Sequence, residues 1–286
     1  MIPSLPRSTV FKTGTWLYLS AFLIFLFLPL ITVAVFAFND AAYPAPPWHG
    51  FTWDWFLGND AKNRVGLLAD DELLNSILTS SIVASFVTLL SLSLGTLNAF
   101  LMERVNFKGK TLLATMILVP MVIPGVILGI SILAFASNCA ELLSQWFGWE
   151  LEWLRPGLPL VVLGQFSYIA AISTLTIAAR LKRFDRTLEE AALNLGASRI
   201  AVFVTILLPF LRPALLGAAA MSFLMSFENF NTTVMLVGSD APLTIEMYGR
   251  MREGATPTIN AVSVLLMLMS AVIALTLFRR DEPSNP

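Results

Sequence analysis

The side chains able to carry chemistry are few and scattered. His49 is the single histidine and Cys139 the single cysteine, so neither a metal cluster nor an internal disulfide can be assembled. No Ser/His/Asp set, no paired carboxylates and no G-x-x-x-x-G-K-[ST] phosphate cradle is present, which argues against a membrane enzyme and against nucleotide hydrolysis by this chain. What remains is one carboxylate in an apolar setting. Glu228 interrupts residues 213–239, which otherwise carry no Asp, Glu, Lys or Arg, and a charge at membrane depth costs at least ~2.5 kcal/mol even on lenient insertion scales. Read as a helix, the segment puts Asn231 and Thr232 on faces neighbouring Glu228, and with Asn229 this stripe could line a path for a polar solute, a cation above all. A structural carboxyl, neutral or hydrogen-bonded to a neighbouring span, fits the same position. Gln165 and Tyr168 are further path candidates, or polar groups that join helices by hydrogen bonds.

A second constellation lies in residues 181–212. Thr187 and Glu190 have the spacing of a capping box, in which the glutamate stabilises its own helix, and Leu188, Ala191, Ala192 and Leu195 fall at i, i+3, i+4 and i+7. Gly196 sits where a helix would end in a left-handed residue, and Ser198 can cap a second helix over 199–208, stopped near Pro209. The spacing thus predicts helix, tight turn, helix. An amphipathic helix with alanines at its centre suits a groove on another protein; with Arg183 and Arg186 beside it, the same helix also suits an anionic lipid surface.

The elements that must position these residues are membrane spans. Of 286 residues, 56% are hydrophobic and 13% charged, and the mean hydropathy is +0.75, values that belong to a bilayer rather than to a soluble domain. Crossing the hydrocarbon takes roughly 20 apolar residues. Stretches free of charge at 16–38, 73–102, 111–140, 156–179 and 255–278 meet that length, and 213–239 meets it with Glu228 inside, giving six spans in a single all-α domain. The first is too long and uninterrupted for a signal peptide and is expected to be retained. Pro120 and Pro124 are expected to kink the third.

Charge sets the orientation. With the N-terminus inside, Arg7, Lys12, Arg104, Lys108, Lys110, Arg180, Lys182, Arg183, Arg186, Arg199, Arg212, Arg279 and Arg280 all face the cytoplasm, leaving Lys62, Arg64, Arg155, Arg250 and Arg252 outside. That bias places both termini and loop 181–212 in the cytoplasm, and loops 39–72, 141–155 and 240–254 outside. Trp48, Trp53, Trp55, Trp146, Trp149 and Trp153 then fall in outer loops, as interfacial anchors do.

Glu190-Ala191-Ala192, Gly196, Ile206 and Leu208-Pro209 stand at the spacing that marks the cytoplasmic loop of bacterial ATP-binding-cassette importer permeases. The chain resembles that inner-membrane family, and most of all the second permease of its spermidine and putrescine branch. Gly50-Phe51-Thr52, Asn75-Ser76, Pro124-Gly125, Ser226-Phe227-Glu228, Ala241-Pro242-Leu243 and Thr258-Ile259-Asn260-Ala261 extend the likeness over nearly the whole length. Importers for ferric iron, opines and phosphonates belong to the same wider group. The resemblance implies a type I importer permease fold whose loop residues Glu190, Ala191, Ala192, Gly196, Ile206, Leu208 and Pro209 couple to a separate ATPase. It also implies the partners: a dimer of ATP-binding subunits holding ATP and Mg, a second homologous permease, a periplasmic solute-binding protein and the lipid bilayer, with no nucleic acid. This chain would bind no cofactor of its own. One position departs from the branch, which usually has a second acid where Asn229 stands. The rival reading is an ion-coupled secondary transporter in which Glu228 titrates, although no internal repeat of the kind common in such folds is visible between the two halves.

Overall fold

The structure is a computed structural model that describes residues 9–254 and 256–278. Arg7, Arg279 and Arg280, which contribute to the charge bias, and Ala255, at the start of the expected sixth span, lie outside the described residues. Among the described residues every regular element is helical: α1 (Thr9–Phe36), α2 (Asp54–Leu57), α3 (Asp71–Arg104), α4 (Lys110–Val122), α5 (Gly125–Phe147), α6 (Leu158–Leu181), α7 (Thr187–Asn194), α8 (Arg199–Val202), α9 (Leu208–Phe227), α10 (Thr233–Leu236), α11 (Leu243–Gly254) and α12 (Pro257–Phe278). Six helical runs among them are long and apolar enough to cross a membrane: α1, α3, α5, α6, the run Arg199–Phe227, and α12 over Pro257–Leu275. The count agrees with the sequence reading. The third and fifth spans do not have the expected bounds.

Span three was expected at 111–140 with kinks, and the chain breaks instead. Ile123 is extended at φ −75 and ψ 128, because a residue before proline is pushed out of the helical region, and Pro124 caps a new helix that begins at Gly125. The membrane-length piece is therefore α5, which runs on to Phe147 and ends at left-handed Gly148. Span five was expected at 213–239 with a helical stop near Pro209. The helix instead passes through Pro209, because Phe203–Leu207 form a wide π turn. Proline has no N–H to give and crowds the carbonyl four residues back, and a π turn relieves both. The helix ends at Phe227, so Glu228 caps α9 at φ −87 and ψ 3 rather than sitting inside a span.

The described residues form two compact units, one of 9–71 with 250–254 and 256–269 and one of 72–249 with 270–278. In the first, α1 buries none of its residues. The segment after it is a folded cap rather than a loose loop. Phe38 stacks on Phe51 and Phe56 with Trp53 edge-on, and Trp55 donates its Nε1–H to the Asn39 carbonyl at 2.8 Å. Lys62 and Arg64 bridge Asp40 and Asp54, and Arg64 lies over the Trp55 ring at 4.6 Å. Hydrogen bonds from Asn59, then Lys62 and Thr52, hold the Asp54 carboxyl down at about 2; Lys62 and then Arg64 lower Asp40. Arg250 pairs with Asp70 in the same unit.

In the second unit α6 is the centre, with Leu160, Val161 and Ile169 packed against Val83, Val87, Ala136 and Leu236. Small residues let the helices close. Along α3, Ser76, Ser80, Ala84, Ser91, Gly95 and Ala99 make a buried stripe at four-residue steps, bridged between Ala84 and Ser91 by Val87. A Cβ on Gly95 would stand 2.7 Å from Ser173 Cβ and 3.0 Å from Thr174 N on α6. Gly125 and Gly129 of α5 and Gly164 of α6 give α10 and the residues leading into it the same closeness, since a Cβ on Gly125 would lie 3.0 Å from Asn231 Cβ and one on Gly129 2.9 Å from Met235 Cβ.

Candidate functional site

Helix α7 stands where the amphipathic pattern placed it, with a different cap. The Thr187 capping box does not form; Asp185 accepts the Thr187 N–H at 3.0 Å instead, and that bond lowers the Asp185 carboxyl. Asp185 stands two residues before Thr187, the spacing at which a short carboxylate reaches back to a backbone amide without a helix turn between them. Gly196 has φ +89, and its N–H and that of Ala197 donate to Leu193 and Ala192 carbonyls at 3.0 Å each, closing the helix as expected. Ser198 caps α8 by accepting the Ala201 N–H at 3.2 Å.

The apolar face of this turn stands open among the described residues. Leu188 is 53% exposed, Leu195 89% and Ile200 78%, and Glu190, Ala191 and Gly196 are exposed beside them, with Ala192 half-buried. Of the remaining motif residues, Ile206 packs against the buried cluster of Leu181, Phe184, Leu207 and Leu211, whereas Leu208 and Pro209 are exposed. Two contacts that spacing did not suggest tie α7 to α3. Arg104 makes a two-pronged bond to Glu189, Nη2 to Oε1 at 2.7 Å and Nη1 to Oε2 at 3.1 Å, and Arg186 Nη2 donates to the Glu103 carbonyl at 2.6 Å. A groove of about 550 Å³ lies between Phe100, Arg104, Glu189, Arg199, Val202 and Phe203.

The second site is the break between α9 and α10. Here the expected stripe of Glu228, Asn231 and Thr232 does not form, because residues 228–232 leave the helix. Glu228 and Asn231 are exposed, while Thr232 is fully buried toward Gly125 and Gly164. Asn229 explains the break. Its Oδ1 accepts from Thr233 Oγ1 at 2.9 Å and from the N–H groups of Thr233 at 3.2 Å and Thr232 at 3.3 Å, capping α10, so the chain must leave helical geometry to bring the side chain round.

Behind this cap the polar residues form one directional chain. Ser226 donates to Gln165 Oε1, Gln165 Nε2 to Thr233 Oγ1 at 2.8 Å, Thr233 to Asn229, and Asn229 Nδ2 to the Tyr168 hydroxyl at 2.5 Å. Gln165 is 1% exposed with both ends of its amide engaged, and Tyr168 and Asn229 reach the half-buried edge. Thr244 donates to the Asn229 carbonyl at 2.9 Å, bringing α11 to the same place. The structure therefore joins Gln165, Tyr168 and Asn229 into one network and leaves Glu228 as an exposed carboxylate with no side-chain partner among the described residues. Ser226 and Thr233 were missed as members, and spacing to the glutamine cannot reveal partners more than sixty residues away.

No group of three or more His, Cys, Asp and Glu among the described residues could hold a metal ion. Residues 91–280 match the family described as binding-protein-dependent transport system inner membrane component. The chain belongs to this family. This inner membrane component is thus the permease subunit of an ATP-binding-cassette importer, a transport component and not an enzyme. It is 29% identical over 245 residues to the putrescine transport system permease protein PotI of Escherichia coli strain K12, covering 85% of this chain and 82% of that one. It is 28% identical over 268 residues to the spermidine/putrescine transport system permease protein PotC of the same strain, covering 93% of each. Its fold matches a crystal structure of a bacterial alginate importer in complex with an alginate pentasaccharide-bound periplasmic protein, with a TM-score of 0.71 at 19% identity, over 96% of this chain and 94% of that one.

Proposed function

We propose that this permease carries a small cationic solute of the polyamine class, such as putrescine or spermidine, from a periplasmic binding protein into the cytoplasm. A separate dimer of ATP-binding subunits holds the ATP and Mg, and a second homologous permease completes the path. The observation that carries the reading is the exposed α7 turn, with Leu188, Leu195 and Ile200 open beside Glu190, Ala191 and Gly196. An apolar helical face of this kind needs a groove to cover it. In this reading loop 181–212 and both termini are cytoplasmic. ATP-driven closure of the partner dimer pushes on α7, and the push opens alternate ends of the path.

The substrate class rests on Glu228 and on the two polyamine relatives. An exposed carboxylate with no cation beside it among the described residues attracts a protonated amine. The amide of Asn229 is committed to capping α10, which leaves the break a single acid. That single acid favours, as a second reading, the same importer class with another small solute such as iron, an opine or a phosphonate. An ion-coupled transporter is the remaining rival. Uptake of radiolabelled putrescine into vesicles holding the permease pair, the ATP-binding subunits and the binding protein separates the three. ATP-dependent accumulation of putrescine is expected. Accumulation driven by a proton gradient without ATP would overturn the importer reading, and ATP-dependent uptake of another solute but not putrescine would overturn the polyamine assignment alone.

A further inference from the structure

Nothing in the loop motif singles out Arg104 or Glu189, yet they form the fork that holds α7 against the membrane helices. Both are mostly buried, at 17% and 22% side-chain exposure. A two-pronged guanidinium–carboxylate pair fixes direction as well as distance, which a single ammonium contact does not. Arg104 is held in turn: its guanidinium lies 5.4 Å from the Phe184 ring, and Phe184 belongs to the buried cluster with Leu181, Leu207 and Leu211 where α6 ends and α9 begins. The Arg186 bond to the Glu103 carbonyl adds a second clasp just before α7 begins.

From Arg104, α3 continues without interruption to the opposite end of the unit. There Ser80 Oγ accepts the Leu243 N–H at 2.8 Å, where α11 starts, and Leu243 is fully buried. Thr244, the next residue, donates to the Asn229 carbonyl beside Glu228. Between these ends Gly95 seats α3 directly on the α6 backbone. Three rigid pieces thus follow in series: fork, helix, and the hydrogen-bonded start of α11.

We propose that the Arg104–Glu189 fork makes α3 a connecting rod, so that movement imposed on α7 reaches the Asn229–Glu228 break through Ser80, Leu243 and Thr244. This rests on α7 being the face that the ATP-binding subunits engage. Arg104 and Glu189 are then positioning residues for transport and touch neither solute nor nucleotide. Continuity of contact alone does not establish a coupling route; the route requires that both ends respond together.

The test uses the complete importer in lipid nanodiscs, in a Cys139→Ser background with a reporter cysteine at the exposed Asn231. The maleimide labelling rate of that cysteine is read with and without ATP and vanadate, so no transported solute need be known. With the native fork, trapping should change the rate. Arg104→Gln and Glu189→Gln should each retain bound ATP-binding subunits and lose roughly ten-fold of that change. The exchange Arg104→Glu with Glu189→Arg should restore most of it, a recovery that general damage to folding would not give. Single variants with the full nucleotide response, or a well-folded exchange variant no better than the singles, would overturn the connecting rod. No response even with the native fork would overturn the engagement of α7 by the ATP-binding subunits, and the rod with it.

Discussion

Gly196 offers a clean way to perturb the α7 turn, because its surroundings make the effect purely one of backbone. Its φ is +89, and a Cβ built there would meet nothing within 4 Å. Substitution therefore creates no clash, and the whole effect is the penalty of holding an L-residue in left-handed geometry. That penalty is about 1–2 kcal/mol for alanine, larger for a β-branched side chain, and only a fraction of it for asparagine, whose short polar side chain tolerates this region. At 1.36 kcal/mol per ten-fold, Gly196→Ala should reduce the equilibrium constant for forming the correct turn by roughly five- to thirty-fold. If the turn must be formed to bind, affinity for the ATP-binding subunits should fall by up to the same factor. The measurement is titration of those subunits onto permease pairs in nanodiscs, with Gly196→Asn and Gly196→Val alongside. The expected order of affinity is glycine, asparagine, alanine, valine. Thermal stability should stay close to the starting protein, because Gly196 is exposed. Equal affinity across the series would refute the claim that this left-handed turn presents the docking face.

Glu228→Gln should lower uptake at least ten-fold with assembly and thermal stability intact, since Glu228 is exposed and has no side-chain partner among the described residues to lose; transport at the starting rate would point to a structural carboxyl. Gly95→Ala brings a Cβ to 2.7 Å from Ser173 Cβ and 3.1 Å from the Ser173 carbonyl carbon, so overpacking of about 1–3 kcal/mol should outweigh the ~1 kcal/mol that alanine gains in a helix. The paired control is Gly217→Ala, where nothing lies within 4 Å: its Tm should hold or rise, and that of Gly95→Ala should fall. Acid should loosen the aromatic cap of the first unit. The Asp54 carboxyl is lowered from 3.8 to about 2, so its stabilising contribution is complete above the unfolded value and disappears as pH falls from about 4 toward about 2. Tryptophan emission should be flat from neutrality to about pH 4 and shift below it, and a transition centred near pH 6 would contradict this assignment.

The parts of the fold that could be read from sequence are those governed by local rules. Six apolar stretches, the alternation of leucine and alanine along α7, the left-handed Gly196 and the Ser198 cap each depend on residues within a turn or two of one another. The errors arose where a distant partner decided the outcome. Glu228 looked like a charge inside a helix because nothing near it in sequence announces that Asn229 will turn inward to cap α10 and meet Tyr168 on α6. Pro209 looked like a stop, and a π turn, which has no composition signature, let the helix through. Pro124 is legible as a disturbance, and whether the residue before it bends within the helix or leaves it, as Ile123 does, is not set by the sequence pattern alone. The loop motif draws attention to Glu190 rather than Glu189, although among the described residues it is Glu189 that has a charged partner.

The first helix carries a consequence of a different kind. None of the 28 residues of α1 is buried among the described residues, so packing there holds its inclination only weakly. Its charge-free part, residues 13–36, is 24 residues and at 1.5 Å per residue about 36 Å long, against a hydrocarbon layer of about 30 Å. The excess must be taken up by leaning or by stretching the bilayer around it. Membrane thickness therefore acts on this helix before any other part of the permease: a thinner bilayer leans it further, and a thicker one straightens it. A neighbouring chain laid along its length would hold the angle constant against the lipid.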